Sequence, residues 1–67
     1  MALEEFSFPR SSWLGGITYD DDTGDLTVFL QNGSEYTHSN VPQGIVEGFK
    51  KAGSPGRYYA SQIKGRF

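Results

Sequence analysis

LTVFLQNGSEYTHS, Leu26 to Ser39, sets two strand-forming runs on either side of Asn32-Gly33. Asparagine and glycine both tolerate the positive φ of a type I′ turn, which makes this pair a strong hairpin signal. A two-residue turn would place Phe29 opposite Tyr36, with Val28 and Leu30 on the other face. Upstream, WLGGITYD, Trp13 to Asp20, reads as a further strand in which Trp13, Ile17 and Tyr19 share one side. Gly15 and Gly16 weaken it and suggest a bulge or a close backbone approach. Between these strands DDDTGD, Asp20 to Asp25, turns the chain, because aspartates hydrogen-bond their own backbone and Gly24 accepts a positive φ.

Outward from this three-stranded antiparallel β-meander, residues 1–10 read as an extended arm in which Phe6 and Phe8 alternate and Pro9 excludes helix. Downstream, Pro42 at a first helical position opens QGIVEGFKKA, whose apolar stripe is Ile45, Val46, Phe49 and Ala52 and whose stop is Gly53. Gly44 and Gly48 lie one turn apart on this helix. With Ala52 they form a smooth stripe, fit either for this domain's own C-terminal segment or for a helix of another subunit. A second short helix starts at the cap Ser54 with Pro55 at N1 and runs to about Ile63, where Gly65 stops it. The expected fold class is α+β: the meander packed with two short C-terminal helices, as a single domain over residues 11–67 behind the arm. Tyr19, Phe29, Tyr36, Phe49, Tyr59 and Ile63 are the expected core, with Tyr58 pointing away from it.

At 67 residues a single domain buries only about 60% of the surface its unfolded chain exposes. There is no cysteine and one histidine, so disulfide or multi-histidine metal support is excluded and a homo-oligomer is the expected reinforcement. The N-terminal MALEEFSFPR has no basic region followed by an apolar stretch, and no run approaches the roughly 18 apolar residues of a membrane span. A soluble, cytoplasmic protein is expected. The net charge is −2, but it is unevenly placed. All eight acids precede residue 48, whereas Lys50, Lys51, Arg57, Lys64 and Arg66 fall in residues 50–67.

That basic segment holds the candidate ligand site. A helix start offers unpaired N–H groups, Ser54 a hydroxyl, Gly56 room for close approach, and Arg57 and Lys64 charge for a phosphate. Tyr58 is placed to stack on a base. Catalysis finds less support, since a serine nucleophile would need a base oriented by a third group, and His38 in its strand reads as structural. A calcium loop beginning at Asp20 would need its glycine at position six and a glutamate at position twelve, where Gln31 stands, so no metal is expected. Walker and dinucleotide glycine patterns are missing, and no cofactor is expected.

SSWLGGITYD, LTVFLQNGSEYTHSNVP and AGSPGRYYASQIKGRF together resemble the successive blocks of the KTSC domain. The most specific parts are the paired serines, Tyr19-Asp20, Asn32-Gly33 followed by Tyr36, Val41-Pro42, and the final Ser54, Gly56, Tyr59, Ile63, Lys64, Gly65 and Phe67. Two positions depart from the family pattern. Its third strand tends to read tyrosine, any residue, tyrosine, where this chain has Tyr36-Thr37-His38, and Trp13 stands where smaller residues are common, a departure that implies a specialised aromatic surface there and adds Trp13 to the expected ligand residues. The resemblance implies a small domain found on some lysyl-tRNA synthetases and as single-domain bacterial and phage proteins, which suggests RNA binding by context. Polymeric RNA binding favours a basic domain, however, and the pI here is about 5.1.

The leading expectation is therefore a non-enzymatic, oligomeric module that binds a phosphate-bearing nucleotide-type ligand, in a phage setting a sponge for a host cyclic-nucleotide immune signal. RNA or tRNA binding through the same segment, and protein binding through exposed Trp13 and Tyr58, are the alternatives.

Overall fold

The structure, a computed structural model, describes residues 3–9 and 11–67. The parts of the expected arm at Met1, Ala2 and Arg10 lie outside the described residues. Strands β1 (Leu3–Ser7), β2 (Leu14–Asp20), β3 (Asp25–Leu30) and β4 (Glu35–His38) form one antiparallel sheet in the order β1-β2-β3-β4. Helices α1 (Gln43–Lys51) and α2 (Pro55–Tyr58) follow, and α2 runs on into a π-helical segment, Tyr59–Ile63.

The sheet thus has four strands, not three. The segment read as a free arm is paired along the whole of β1, from Leu3 opposite Asp20 to Ser7 opposite Gly16. Gly16 makes this contact possible: a Cβ there would stand 2.8 Å from the Phe6 carbonyl oxygen. A bulge falls between Leu14 and Gly16. It shifts the alternation, so that Leu14 joins Ile17 and Tyr19 in the core while Trp13 is 40% exposed. The expected shared face of Trp13, Ile17 and Tyr19 is corrected accordingly.

The hairpin register also differs from expectation by one residue. Val28 faces Tyr36 and Phe29 faces Glu35. Gln31 is drawn out of the ladder, its N–H donating to the Trp13 carbonyl at 2.8 Å and its amide nitrogen to the Ser11 and Leu14 carbonyls at 3.1 and 3.2 Å. This leaves a three-residue loop, Gln31-Asn32-Gly33, in which Gly33 takes φ +92° and Leu30 N–H bonds the Ser34 carbonyl at 2.8 Å. That is the type I turn with a glycine bulge rather than type I′.

Two inner rows result, Glu4–Tyr19–Leu26–His38 and Phe6–Ile17–Val28–Tyr36. The helices cover the middle of both rows, where Ile17, Tyr19, Leu26 and Val28 are buried with Val46, Phe49, Tyr59 and Ile63. Phe29 lies on the outer face at 36% exposure, and Tyr36, on the inner face but at the sheet edge, is 51% exposed. Neither belongs to the core. Tyr19 donates a buried hydrogen bond to the Val41 carbonyl at 2.6 Å. Burial, with Asp21, Glu4 and Asp20 nearby, pushes its phenol pKa up.

Pro42 caps α1 in an extended conformation rather than entering it. The π segment is closed by the Lys64 N–H bonding the Tyr59 carbonyl at 2.8 Å, and Gly65 at φ +83° turns the chain back. Among the described residues no helix is long and apolar enough to cross a membrane.

Candidate functional site

The expected ligand residues fall into three places. Ser54, Gly56 and Arg57 border a small polar notch of about 240 Å³ with Ser11, Ser12 and Trp13. The Trp13 indole nitrogen already lies over the Gly56 Cα, so a methyl group there would collide with it. Gly56 therefore admits a side chain of this protein rather than a ligand. Ser54 makes no side-chain cap bond, and α2 behind it is a single turn.

Tyr58 is the second correction. It does not point away from the core: its ring stacks on Phe49 at 5.5 Å and 20°, and its hydroxyl donates to the Ile45 carbonyl at 2.8 Å. The ring tip passes over Gly48, where a Cβ would clash with it, whereas Gly44 has open space. The glycine stripe thus receives the domain's own C-terminal segment, at Gly48 alone. Tyr58 is a packing residue and is not free to stack on a base.

Lys64 lies in neither of these places. It lines a larger cleft of about 670 Å³ at the β4 edge, with Trp13, Leu30, Tyr36, Thr37, His38, Tyr59, Ala60 and Phe67. Each element delivers its share for a local reason. The β2 bulge turns Trp13 outward, and its ring meets Tyr59 edge-on at 5.9 Å and 69°. The alternation of β4 puts Tyr36 and His38 on one face. The π segment sets Tyr59, Ala60 and Lys64 along the opposite wall, an arrangement that recurs at functional sites in other proteins. The left-handed Gly65 brings Phe67 back over the opening.

His38 ties these walls together. Its Nε2 lies 2.9 Å from the Tyr59 hydroxyl and its Nδ1 3.2 Å from the Phe67 carbonyl oxygen. Burial, and Tyr36 to a lesser degree, push the Tyr59 phenol pKa up, which keeps it a hydrogen-bond donor. Trp13, Tyr36 and Phe67 remain 40, 51 and 39% exposed. No aspartate or glutamate side chain lines the cleft among the described residues. Chemically, it presents aromatic faces, one ammonium group and an imidazole to a ligand.

Sequence reasoning took Tyr59 for core, as its 4% exposure bears out, and His38 for structural, in keeping with its bonds to Tyr59 and Phe67; it wrongly took Tyr36 for core and passed over Phe67 as a lining group. The Tyr36-Thr37-His38 alternation carried the signal for the first wall, since residues two apart in a strand share a face. At the other end of the meander, one oxygen from each of Asp20, Asp21 and Asp22 lies within 4.8 Å of the others in an exposed turn. There Asp20 Oδ1 accepts from the Asp22 N–H at 3.0 Å, an ordinary turn bond.

Comparison with known proteins identifies the family. Residues 10–67 match the KTSC domain. Over 59 residues the chain is 32% identical to a lysine–tRNA ligase of Nostoc punctiforme and 34% identical to one of Trichormus variabilis, in each case over 88% of this chain and 10% of the ligase. It therefore spans about a tenth of the length of these relatives. The crystal structure of a KTSC domain protein from Yersinia pestis superposes with a TM-score of 0.89 at 30% identity, covering 98% of this chain and 92% of that one. The chain belongs to the KTSC domain family.

Proposed function

We propose that this KTSC domain is a non-enzymatic module that binds a small nucleotide-type ligand in the cleft at the β4 edge. The observation that supports it most is the gathering of three part-exposed aromatic side chains, Trp13, Tyr36 and Phe67, around Lys64 in one concavity. Aromatic faces hold a base by stacking, worth about 1–3 kcal/mol per base in single-strand-binding proteins, and an ammonium group holds a phosphate. A cleft of about 670 Å³ lies within the size range of ligand sites. Its open side would be closed most simply by a second copy, so the reading includes a homo-oligomer. Binding without turnover is also what sequestration of a cyclic-nucleotide immune signal in a host cytoplasm requires.

The names of the related tRNA ligases favour RNA as the second reading. The pI of about 5.1 weighs against it, because RNA binding draws affinity from many phosphate contacts and falls steeply with salt.

The test is a thermal-shift panel of mono-, di- and cyclic nucleotides and a short RNA, on the parent and on Trp13→Ala, Lys64→Ala and Arg57→Ala. A ligand at 100 times its Kd stabilises by about 2.7 kcal/mol. The Trp13 and Lys64 variants are expected to lose the shift and Arg57→Ala to keep it. Loss in Arg57→Ala alone would move the site to the notch. A shift only with RNA, abolished by salt, would establish the second reading, and a flat response to every ligand would overturn both.

A further inference from the structure

We infer that the β4 edge is where two copies of this chain meet: their β4 strands pair antiparallel about a two-fold axis at Tyr36, and each cleft takes the partner's Tyr36 as its outer wall. The second clause rests on the cleft reading above, whereas the pairing is measurable without a ligand.

The hydrogen-bond phase along β4 decides which groups face outward. The Leu30 N–H bonds the Ser34 carbonyl at 2.8 Å, and bonded pairs alternate along an antiparallel ladder. The next bonded pairs are therefore Val28 with Tyr36 and Leu26 with His38. Between them, the main-chain groups of Glu35 and Thr37 point away from β3. Glu35, Tyr36 and Thr37 are all exposed. The strand carries no lysine, proline or bulge, the usual devices that keep an open edge from pairing.

The opposite edge is protected. Glu4 of β1 is turned inward to Lys50, and an inward charge is one such device. Pairing LEEFS with itself over its full length would also set Glu5 opposite Glu5, and like charges directly opposite repel.

On β4, outward groups pair only with outward groups, which restricts the register. An axis at Glu35 opposes two carboxylates. An axis at Thr37 pairs Glu35 with Ser39, which lies beyond the strand. An axis at Tyr36 sets Glu35 opposite the partner's Thr37 and Thr37 opposite the partner's Glu35, so both outward residues of each copy exchange main-chain bonds. The two Tyr36 residues then form a non-bonded pair, the kind whose side chains approach most closely. They meet on the inner face, where Tyr36 is 51% exposed and the cleft opens. Because the strand is short, the interface is small and the association reversible.

The chain has no cysteine, so one introduced thiol reports the axis directly. At a non-bonded antiparallel pair the Cα atoms stand about 4.5 Å apart, within reach of a disulfide. Under mild oxidation Tyr36→Cys is expected to give a cross-linked dimer, and Glu5→Cys on the other edge to stay monomeric. In sedimentation the parent should shift from monomer to dimer as concentration rises, and Thr37→Pro should remain monomeric. The Thr37 N–H faces away from β3, so proline there spares the ladder within the chain and removes a bond between copies. Should that variant fold poorly, the cross-link decides. A parent that stays monomeric with and without cyclic AMP, a dimer that persists in folded Thr37→Pro, or cross-linking at Glu5→Cys ahead of Tyr36→Cys overturns the inference. Nucleotide shifts lost in Trp13→Ala would then still uphold the cleft reading. A dimer cross-linked through Tyr36→Cys with no response to any nucleotide upholds the pairing and removes the cleft reading.

Discussion

Glu4 and His38 stand at opposite ends of one inner row of the sheet, and the protein completes the two ends differently. At the β1 edge Lys50 of α1 reaches down to Glu4 at 3.2 Å and also binds Glu47 at 3.2 Å. Burial alone would lower the Lys50 pKa, but hydrogen bonds to the two carboxylates outweigh it and hold the ammonium above its ordinary value. A charge is met by a charge, and the edge is shut. At the β4 edge the overlying segment brings rings rather than acidic side chains. His38 is satisfied by a phenol and the Phe67 main-chain oxygen, and a volume bounded by aromatic faces is left beside Lys64. The same row thus serves as scaffold at one end and, in the proposed function, as a binding wall at the other, and the difference lies in what the covering helix carries.

Phe49 is the piece common to both ends. It is fully buried, with Phe8 at 4.9 Å on the β1 side and Tyr58 and Tyr59 at 5.5 and 6.3 Å on the other. Phe49→Ala should cost about 3–5 kcal/mol in urea unfolding. In a domain this small that removes most of the folded population, and both ends should be lost in one transition. A variant in which β1 stays protected from hydrogen exchange while the cleft opens would show that the two halves fold separately.

A smaller effect is expected at the cleft end. Tyr59→Phe removes the hydrogen bond to His38 and should cost about 1 kcal/mol near pH 7. Its pH signature is more specific. Burial raises the Tyr59 pKa above the ordinary 10.0, so the folded state keeps a proton that the unfolded chain releases. That contribution is fully present below pH 10 and is lost as the pH rises through the folded-state value. The parent should therefore lose stability above pH 10 more steeply than Tyr59→Phe, by urea unfolding at pH 7 and pH 10.5. Equal slopes would mean that this phenol is more open to water than the cleft geometry implies.

Much of the frame was legible because local chemistry and tertiary structure agree in it. The strand at Ile17 and Tyr19, the turn at Gly24 and the amphipathic helix carrying Val46 and Phe49 each follow from short-range pattern. What escaped depends on partners distant in sequence. The LEEFS strand has charged residues on both faces, and its inward Glu4 makes sense only once Lys50, far along the chain, is opposite. The hairpin register turned on Gln31, whose side chain is held by Ser11 and Leu14 and so cannot sit in the ladder. Within the site, Lys64 and Trp13 were legible as exposed chemistry. Tyr58 was misplaced because its resting place is the gap at Gly48 on another helix. His38 was legible as structural, but a lone histidine in a strand gives no sign of which groups, here Tyr59 and Phe67, hold it.

The smallest effect is expected at the closed end. Glu4→Gln removes the charge that Lys50 meets, yet Glu4 is 38% exposed and Lys50 retains Glu47. Water screens a pair of this kind, and the neutral amide still accepts a hydrogen bond, so the loss should be no more than about 1 kcal/mol. If the proposed function holds, nucleotide affinity should not change, because the Glu4 end of the row is separated from His38 by the buried Tyr19 and Leu26. Urea unfolding and calorimetric titration of the same Glu4→Gln sample check the two halves of this expectation. If affinity falls while stability is kept, the row transmits charge or strain from edge to edge, and the division into a scaffold end and a binding end fails.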